Sequence, residues 1–558
     1  MIIANTLLSM VGEIYYSKLR RASRHPRKAA ENGLRHILDY AKDSEFGRKH
    51  DFAYILQAKD DTELYRRYRE KVPVCDYEDM RPMVERHKNG EENVLFPGKP
   101  VLYTTTSGTT SKPKWIPISK EYLDNMYGKM TKVWLYNFIK NRPKVFSGKV
   151  FSVIGKLVEG YAPDGTVLGS ISGYTQGNCP DFLKVIYANP PCVSGITDYD
   201  SRYYVLMRMG IEQDVALIIA ANPSSIVELQ NNVEKYFDDY VNDIEHGTLK
   251  ADMKIEPEIR AELEPLFKPN PKRAAELRAM KEKYGEVLPK HYWPNLQILN
   301  TWRCGNTSIY LDKFKAWFPQ GMMHQEFGYI SSECRFGFPL DDTLNSVLFP
   351  HYHYYEFVEE SEIDKPNPHF LQVYELEEGK RYCIYITNAS GFYRYNMSDL
   401  LEAGPCFKNT PTVHMIQKLH GIVTITGEKL HERQFIEAVH SAEKTTGLKA
   451  TFFIGFADLG IKGYRFYYEF ADASVSQQQA EKFTEEVDAA LKKINMEYKA
   501  KRDSLRLPVP ETYRLVPEAF DKFKAKCIAE GARGEQFKLN LLLQDEGRHA
   551  KFKQLVLN

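Results

Sequence analysis

The chain of 558 residues (64.6 kDa) is 43% apolar and 27% charged, the balance of a folded protein rather than a disordered one. Its 75 basic and 74 acidic residues leave a formal charge of +1, which argues against a general nucleic-acid binder. The longest strongly apolar runs, such as Val215–Ala221, fall far short of the ~20 residues a membrane-spanning helix needs.

In chain order, Met1–Leu19 is apolar in patches, with Glu13 interrupting it and the basic cluster Lys18, Arg20, Arg21 and Arg24 following it. That order is the reverse of a secretory signal, and an amphipathic first helix packed on the body is expected. Lys28–Asp43 places Leu34, Ile37, Leu38 and Ala41 on one helical stripe, with Gly47 as its stop. Lys149–Ile154 reads as a strand, and Asp214–Ala221 as one buried on both faces. Ser225-x-x-Glu228 has capping-box spacing and opens a helix with Ile226, Leu229, Val233, Phe237, Val241 and Ile244 inward. Pro257–Pro294 is helical, basic and broken by prolines, the pattern of a surface excursion.

Buried strands feeding helices favour an α/β architecture for this large part. After about residue 420 the pattern changes. Ala450–Phe456, Tyr464–Phe470 and Thr512–Val516 are strand-like, and Glu481–Tyr498 is an amphipathic helix. The expected organisation is therefore a large N-terminal domain (1–417) of β-sheets with flanking helices, a hinge (418–421) and a small α+β C-terminal domain (422–558). The eight cysteines, Cys75, Cys179, Cys192, Cys304, Cys334, Cys383, Cys406 and Cys527, form no CxxC and no zinc-like spacing. Dispersed cysteines suit a reduced compartment, so a soluble cytoplasmic protein is expected.

Three motifs carry chemistry. Thr104–Lys114 holds five threonines, two serines, a glycine and two lysines. Its hydroxyls and turn amides can cradle phosphate, although it lacks Walker spacing and also reads as a polar hairpin loop. In Phe327–Cys334, Tyr329 can stack a base, Ser331 and Ser332 can donate hydrogen bonds, and Glu333 can hold Mg²⁺; a strand end with an exposed glutamate fits equally. In Tyr393–Leu400, Asp399 can accept from both ribose hydroxyls or serve as a cap. The fifteen histidines form no triad or metal site, and His351, His353 and His369 read as core or surface residues.

The order of these motifs resembles the adenylate-forming enzymes, and more closely the Gretchen Hagen acyl-acid amido synthetases, the auxin-responsive family of plants; the chain is read as a bacterial relative. The resemblance extends over Val72–Met80, Phe96–Pro100, Tyr292–Asn295, Tyr354–Phe357, Gly427–Glu432 and Gln536–Lys538, or roughly residues 70 to 540. Two departures stand out. The phosphate loop has Thr109-Thr110-Ser111-Lys112-Pro113 where the family continues with glycines, and Asn396-Met397-Ser398-Asp399 replaces Arg-Val-Gly-Asp.

The resemblance implies ATP and Mg²⁺, with Thr106, Ser107 and Thr109 on the phosphates and Lys114 as a helper. It implies Tyr329, Ile330, Ser331 and Ser332 around adenine and phosphate, Glu333 on magnesium and Asp399 on ribose. Lys538 becomes the mobile cation that meets the α-phosphate, Lys429 a second nucleotide contact, and Lys538 and Glu333 the catalytic pair. Trp302, Gly305 and Tyr354 are expected at the acyl pocket, along with Tyr161–Tyr174. The implied partners are a small carboxylic acid and an amine or amino acid, without nucleic acid or membrane, and the implied state is a monomer. Thioester formation with CoA, or a nucleotide-binding relative that has lost catalysis, are the competing readings.

Overall fold

Four strands, Lys149–Val153, Val215–Ala220, Ile298–Thr301 and Met323–Glu326, pair in that order, all parallel, at the centre of the N-terminal part. The computed structural model describes residues 2–106, 114–304, 311–363, 365–419, 422–425, 428–503, 507–530 and 539–557. Val215–Ala220 is buried along almost its whole length because helices cover both faces of the sheet.

Helix Pro223–His246 buries Ile226, Leu229, Val233, Phe237, Val241 and Ile244, the stripe that periodicity dictates. Its cap is Asn222, whose side chain accepts the Ser224 N–H at 3.0 Å, with Pro223 in the first helical position. The helix thus begins ahead of the Ser225–Glu228 box. Gly47 is likewise not a helix stop. The helix Pro26–Ala41 ends earlier, and Gly47 sits in the next short helix, where a Cβ would lie 2.2 Å from the Ala41 carbonyl oxygen. Close approach, not termination, is what requires glycine there.

The 257–294 stretch differs most from its sequence pattern. Pro257, Pro271 and Pro289 each begin a helix instead of breaking one. Leu263, Phe267, Ala274, Leu277, Tyr292 and Trp293 join the core under the parallel sheet. Arg273 fastens this region by donating to the carbonyls of Ile211 and Tyr292. The first helix, Ile2–Arg24, packs Tyr16 and Leu19 against Met130, Val133 and Trp134 of helix Gly128–Asn141. Among the described residues no helix is long and apolar enough to cross a membrane.

A second sheet has the strand order Lys114–Ile118, Leu102–Thr106, Val167–Leu168, Gly160–Tyr161. A third, antiparallel sheet has the order Leu371–Gln372, Tyr354–Glu359, Arg381–Thr387, Tyr395–Phe407, Thr410–Lys418. The chain divides into two compact units, one of Met1–Met397 and Leu401–His414, the other of Ser398–Leu400 and Met415–Asn558. The second unit is α+β. Ala450–Asp458 and Gly463–Phe470 pair antiparallel, Glu511–Arg514 and Leu542–Leu543 flank them in parallel, and helices Glu432–Thr446 and Gln477–Ile494 bury Phe435, Val439, Phe483, Val487 and Leu491.

Candidate active site

The strands on either side of the hydroxyl-rich loop pair antiparallel from Leu102↔Ile118 to Thr106↔Lys114. Ser107 and Thr109 lie outside the described residues, as does the Thr106 side chain. The strands themselves are anchored by the Val72–Met80 segment. Asp76 caps helix Tyr77–Lys88 in a capping box with Asp79, and the Tyr77 hydroxyl both donates to the Trp115 carbonyl (2.8 Å) and accepts the Trp115 N–H (2.6 Å). Tyr103 pairs with Leu168, so the expected acyl segment 161–174 shares a sheet with the first strand of the loop. Tyr161 itself is exposed.

Glu333 sits on a tight turn between the paired strands Tyr329–Ile330 and Arg335–Phe338. The Ser331 hydroxyl accepts the N–H groups of Glu333 (3.2 Å) and Cys334 (3.3 Å), and the Ser331 N–H reaches the Cys334 carbonyl at 2.9 Å. Ser331 therefore builds the turn, a use the sequence did not reveal. Asn388, from another hairpin, donates to the Glu333 carbonyl at 3.0 Å while its Oδ1 accepts the Ser390 N–H. Glu333 is 8% exposed, and no described side chain hydrogen-bonds its carboxylate. A carboxylate in a mostly buried turn, with no described side-chain donor, is open to a cation. Tyr329 stacks on Phe336 with ring centroids 3.9 Å apart, and its N–H donates to Ser346.

Just ahead of the turn lies Glu326, which the sequence reading passed over. Its carboxylate accepts the N–H groups of Arg303 (2.5 Å) and Gly328 (3.0 Å), tying the loops that follow two neighbouring parallel strands. Burial pushes its pKa up. Its signal was the polar pair Gln325-Glu326 ending a parallel strand, where open α/β sheets place their ligands. Trp302 stands beside it, donating from Nε1 to the Gly328 carbonyl at 3.1 Å. Gly305 falls outside the described residues. Tyr354 is fully buried among Tyr65 and Tyr68, and its hydroxyl accepts from Gln372 at 2.9 Å, which makes it a core residue in this structure. His351 and His353 are also buried, and burial lowers each to a pKa of about 3, so both are neutral.

In the strand leading to Asp399, Arg394 has φ +49° and bonds Glu356 (2.8 Å) and the Val72 carbonyl (3.0 Å); Arg69 takes the other Glu356 oxygen at 2.8 Å. Cys75 bridges the same strand through backbone bonds to Arg394 and Asn396. Ser398 then adopts φ +52°. A left-handed backbone, the region that favours glycine, thus stands at a serine. Asp399 belongs to the second unit, is 1% exposed and pairs with Lys418 at 2.5 Å.

Lys429 is exposed in that unit, its carbonyl accepting from Asn495 at 2.8 Å. Lys538 lies outside the described residues. The chain after it is fixed by Glu432, which accepts the Leu541 N–H, and by the pairing of Leu542 with Gly455.

A family model described as the GH3 family N-terminal domain matches residues 15–323, its central-domain counterpart 346–418 and its C-terminal counterpart 433–547. The chain is 23% identical over 554 residues to the probable indole-3-acetic acid-amido synthetase GH3.1 of Arabidopsis thaliana, covering 91% of this chain and 90% of that protein. Its fold matches the GH3.15 acyl acid amido synthetase with a TM-score of 0.84 at 20% identity, over 97% of this chain and 96% of that one. A 2-hydroxyisobutyryl-CoA ligase matches more distantly, with a TM-score of 0.54 at 13% identity, over 94% and 91% of the two chains.

Proposed function

The chain belongs to the GH3 family, and on that premise we propose that it is an ATP-dependent acyl-acid amido synthetase. It joins a small carboxylic acid to an amine, most simply the amino group of an amino acid. In the first step a carboxylate oxygen attacks the α-phosphorus of ATP and pyrophosphate leaves. In the second the amine attacks the acyl carbonyl, AMP leaves, and the nitrogen loses a proton. Neither step needs a protein nucleophile, so positioning and charge stabilisation do the work.

The observation that carries this reading is the Glu333 turn: a residue 8% exposed, with no described side chain bonded to its carboxylate, on the hairpin that follows the parallel strand Met323–Glu326. A hard oxygen donor of this kind suits Mg²⁺, whose charge would offset that of the phosphate oxygens. Thr106, Ser107 and Thr109 serve the phosphates, Tyr329, Ile330 and Ser332 the adenine side, and Asp399 the ribose. Lys429 and Lys538 reach the nucleotide from the small unit, with the 418–421 junction as hinge. Trp302 begins the acyl site.

The test incubates the protein with ATP, Mg²⁺ and a panel of carboxylic acids and follows pyrophosphate release, then adds amino acids or CoA separately. Acid-dependent release followed by amide formation is expected. Thioester formation would instead make it a CoA ligase, and no release with any acid would make it a non-catalytic nucleotide binder. Glu333→Gln should lower the rate about 10²–10³-fold and raise the magnesium requirement. Unchanged magnesium dependence would remove Glu333 from the site.

A further inference from the structure

Arg335 follows Glu333 by two residues and is 4% exposed, yet among the described residues no carboxylate pairs with it. A guanidinium has five N–H donors. Within the described residues its side-chain partners are two hydroxyls, Thr131 at 2.9 Å from Nη1 and Tyr127, which leaves most of those donors unused. Ring faces pack around it as well, with the centroids of Trp134 at 4.5 Å and Phe338 at 5.3 Å from the guanidinium carbon. Ring faces offset part of the charge but accept few of its hydrogen bonds. A second donor beside it is also unmet: the buried Trp134 Nε1 has no acceptor among the described residues.

Burying a cation costs several kcal/mol unless an anion completes it. The position of this one relates it to the acyl site. Trp134 meets Phe327 edge-on at 5.6 Å, Phe327 meets Trp302 at 5.8 Å, and Trp302 lies at the start of the expected acyl segment. An aromatic wall therefore runs from that segment to a cation.

We propose that Arg335 and Trp134 form an anion-binding subsite of the acyl pocket, and that the acyl acid carries a second carboxylate, remote from the one that reacts. The inference rests on the amido synthetase reading for the name of the pocket. The reacting carboxylate is a poor occupant, because adenylation neutralises it and would strand the cation in mid-reaction. A second carboxylate keeps its charge through both steps, and its oxygens can take the free guanidinium donors and the indole N–H.

The test compares matched acids, benzoate with isophthalate and butyrate with glutarate, in two separate measurements: calorimetric binding without ATP, and pyrophosphate release with ATP and Mg²⁺. In the wild type at least one diacid should bind more tightly than its monoacid. Arg335→Gln should cut that diacid-to-monoacid ratio by about 10- to 100-fold, the size of a buried charge-assisted hydrogen bond. Trp134→Phe, a smaller change that keeps the ring, should cut it by about 3- to 10-fold, and Arg335→Lys should keep part of it. Without acid, Arg335→Gln should melt no lower than wild type, since it removes an uncompensated charge.

The proposal is overturned if every monoacid binds at least as tightly as its diacid, or if the ratio survives in both Arg335→Gln and Trp134→Phe. The two readings fail separately. Diacid binding that depends on Arg335 without any pyrophosphate release keeps the subsite and removes the synthetase. Release with monoacids and an unchanged ratio does the reverse.

Discussion

The turn at Glu333 and the strand leading to Asp399 each deliver one buried carboxylate, and they are held in different ways. Around Glu333 the restraint is local. Ser331 accepts two backbone N–H groups from its own turn and none of Ser331–Cys334 has a positive φ, while Asn388 reaches in to the Glu333 carbonyl and the Tyr122 hydroxyl to the Arg335 N–H. Around Asp399 the backbone is strained at two non-glycine residues, Arg394 and Ser398. The strain at Arg394 is offset by partners about 40 to 320 residues away in sequence, namely Glu356 and the Val72 carbonyl. A left-handed non-glycine residue costs roughly 1–2 kcal/mol and persists only where its surroundings over-determine it. The contrast teaches that the Glu333 turn owes its shape chiefly to its own side chain and hydrogen bonds, whereas the backbone at Arg394 depends on partners distant in sequence.

The largest expected effect breaks the second arrangement. Glu356→Ala strips two arginines of a shared, almost fully buried carboxylate and should cost about 3–5 kcal/mol in denaturant unfolding. A loss below about 1 kcal/mol would show that Arg394 is held without it.

Next in size is Glu432 inside the small unit, which combines burial with a backbone bond to Leu541. Burial raises its pKa from 4.5 to about 7, so between those values the folded state keeps a proton that the unfolded chain has lost. This contribution to stability is complete below about pH 4.5 and is lost as pH rises through about 7. Glu432→Gln keeps an acceptor oxygen and should be the more stable protein at pH 8, by on the order of 2–3 kcal/mol, with no gain at pH 4.5. Melting curves of both proteins across this range check the slope, and parallel curves would contradict the assignment.

The local turn is tested by Asn388→Ala, which leaves the Glu333 carbonyl and the Ser390 N–H without their partner. It should cost about 1–3 kcal/mol, less than Glu356→Ala because only neutral groups are orphaned. If the two variants cost the same, the contrast between local and long-range restraint fails.

The smallest effect relieves strain. Ser398→Gly removes the left-handed penalty but adds freedom to the unfolded chain, so a net gain of about 0.5 kcal/mol is expected. A clear loss in Tm would mean that the Ser398 side chain contributes more than its backbone costs.

The sequence by itself determined what short-range periodicity and side-chain chemistry can encode. The stripe from Ile226 to Ile244, the doubly buried strand at 215–220 and the α+β pattern of the small unit all follow from spacing, and these elements are present in the structure. The tertiary structure decided where distant groups supplied the partner. Asn222 rather than Ser225 became the cap because the strand before the helix fixed where it could begin. Pro257, Pro271 and Pro289 became helix starts, and Leu263, Phe267, Ala274, Leu277, Tyr292 and Trp293 became core, because these apolar residues had the parallel sheet to cover. Ser398 has a glycine-like backbone, and Arg335 lies between Thr131 and Trp134, by virtue of neighbours about 20 to 200 residues away. Local pattern fixes which face of an element is apolar. Only packing fixes what that face meets, and the energies of buried charge and strained backbone depend on the meeting.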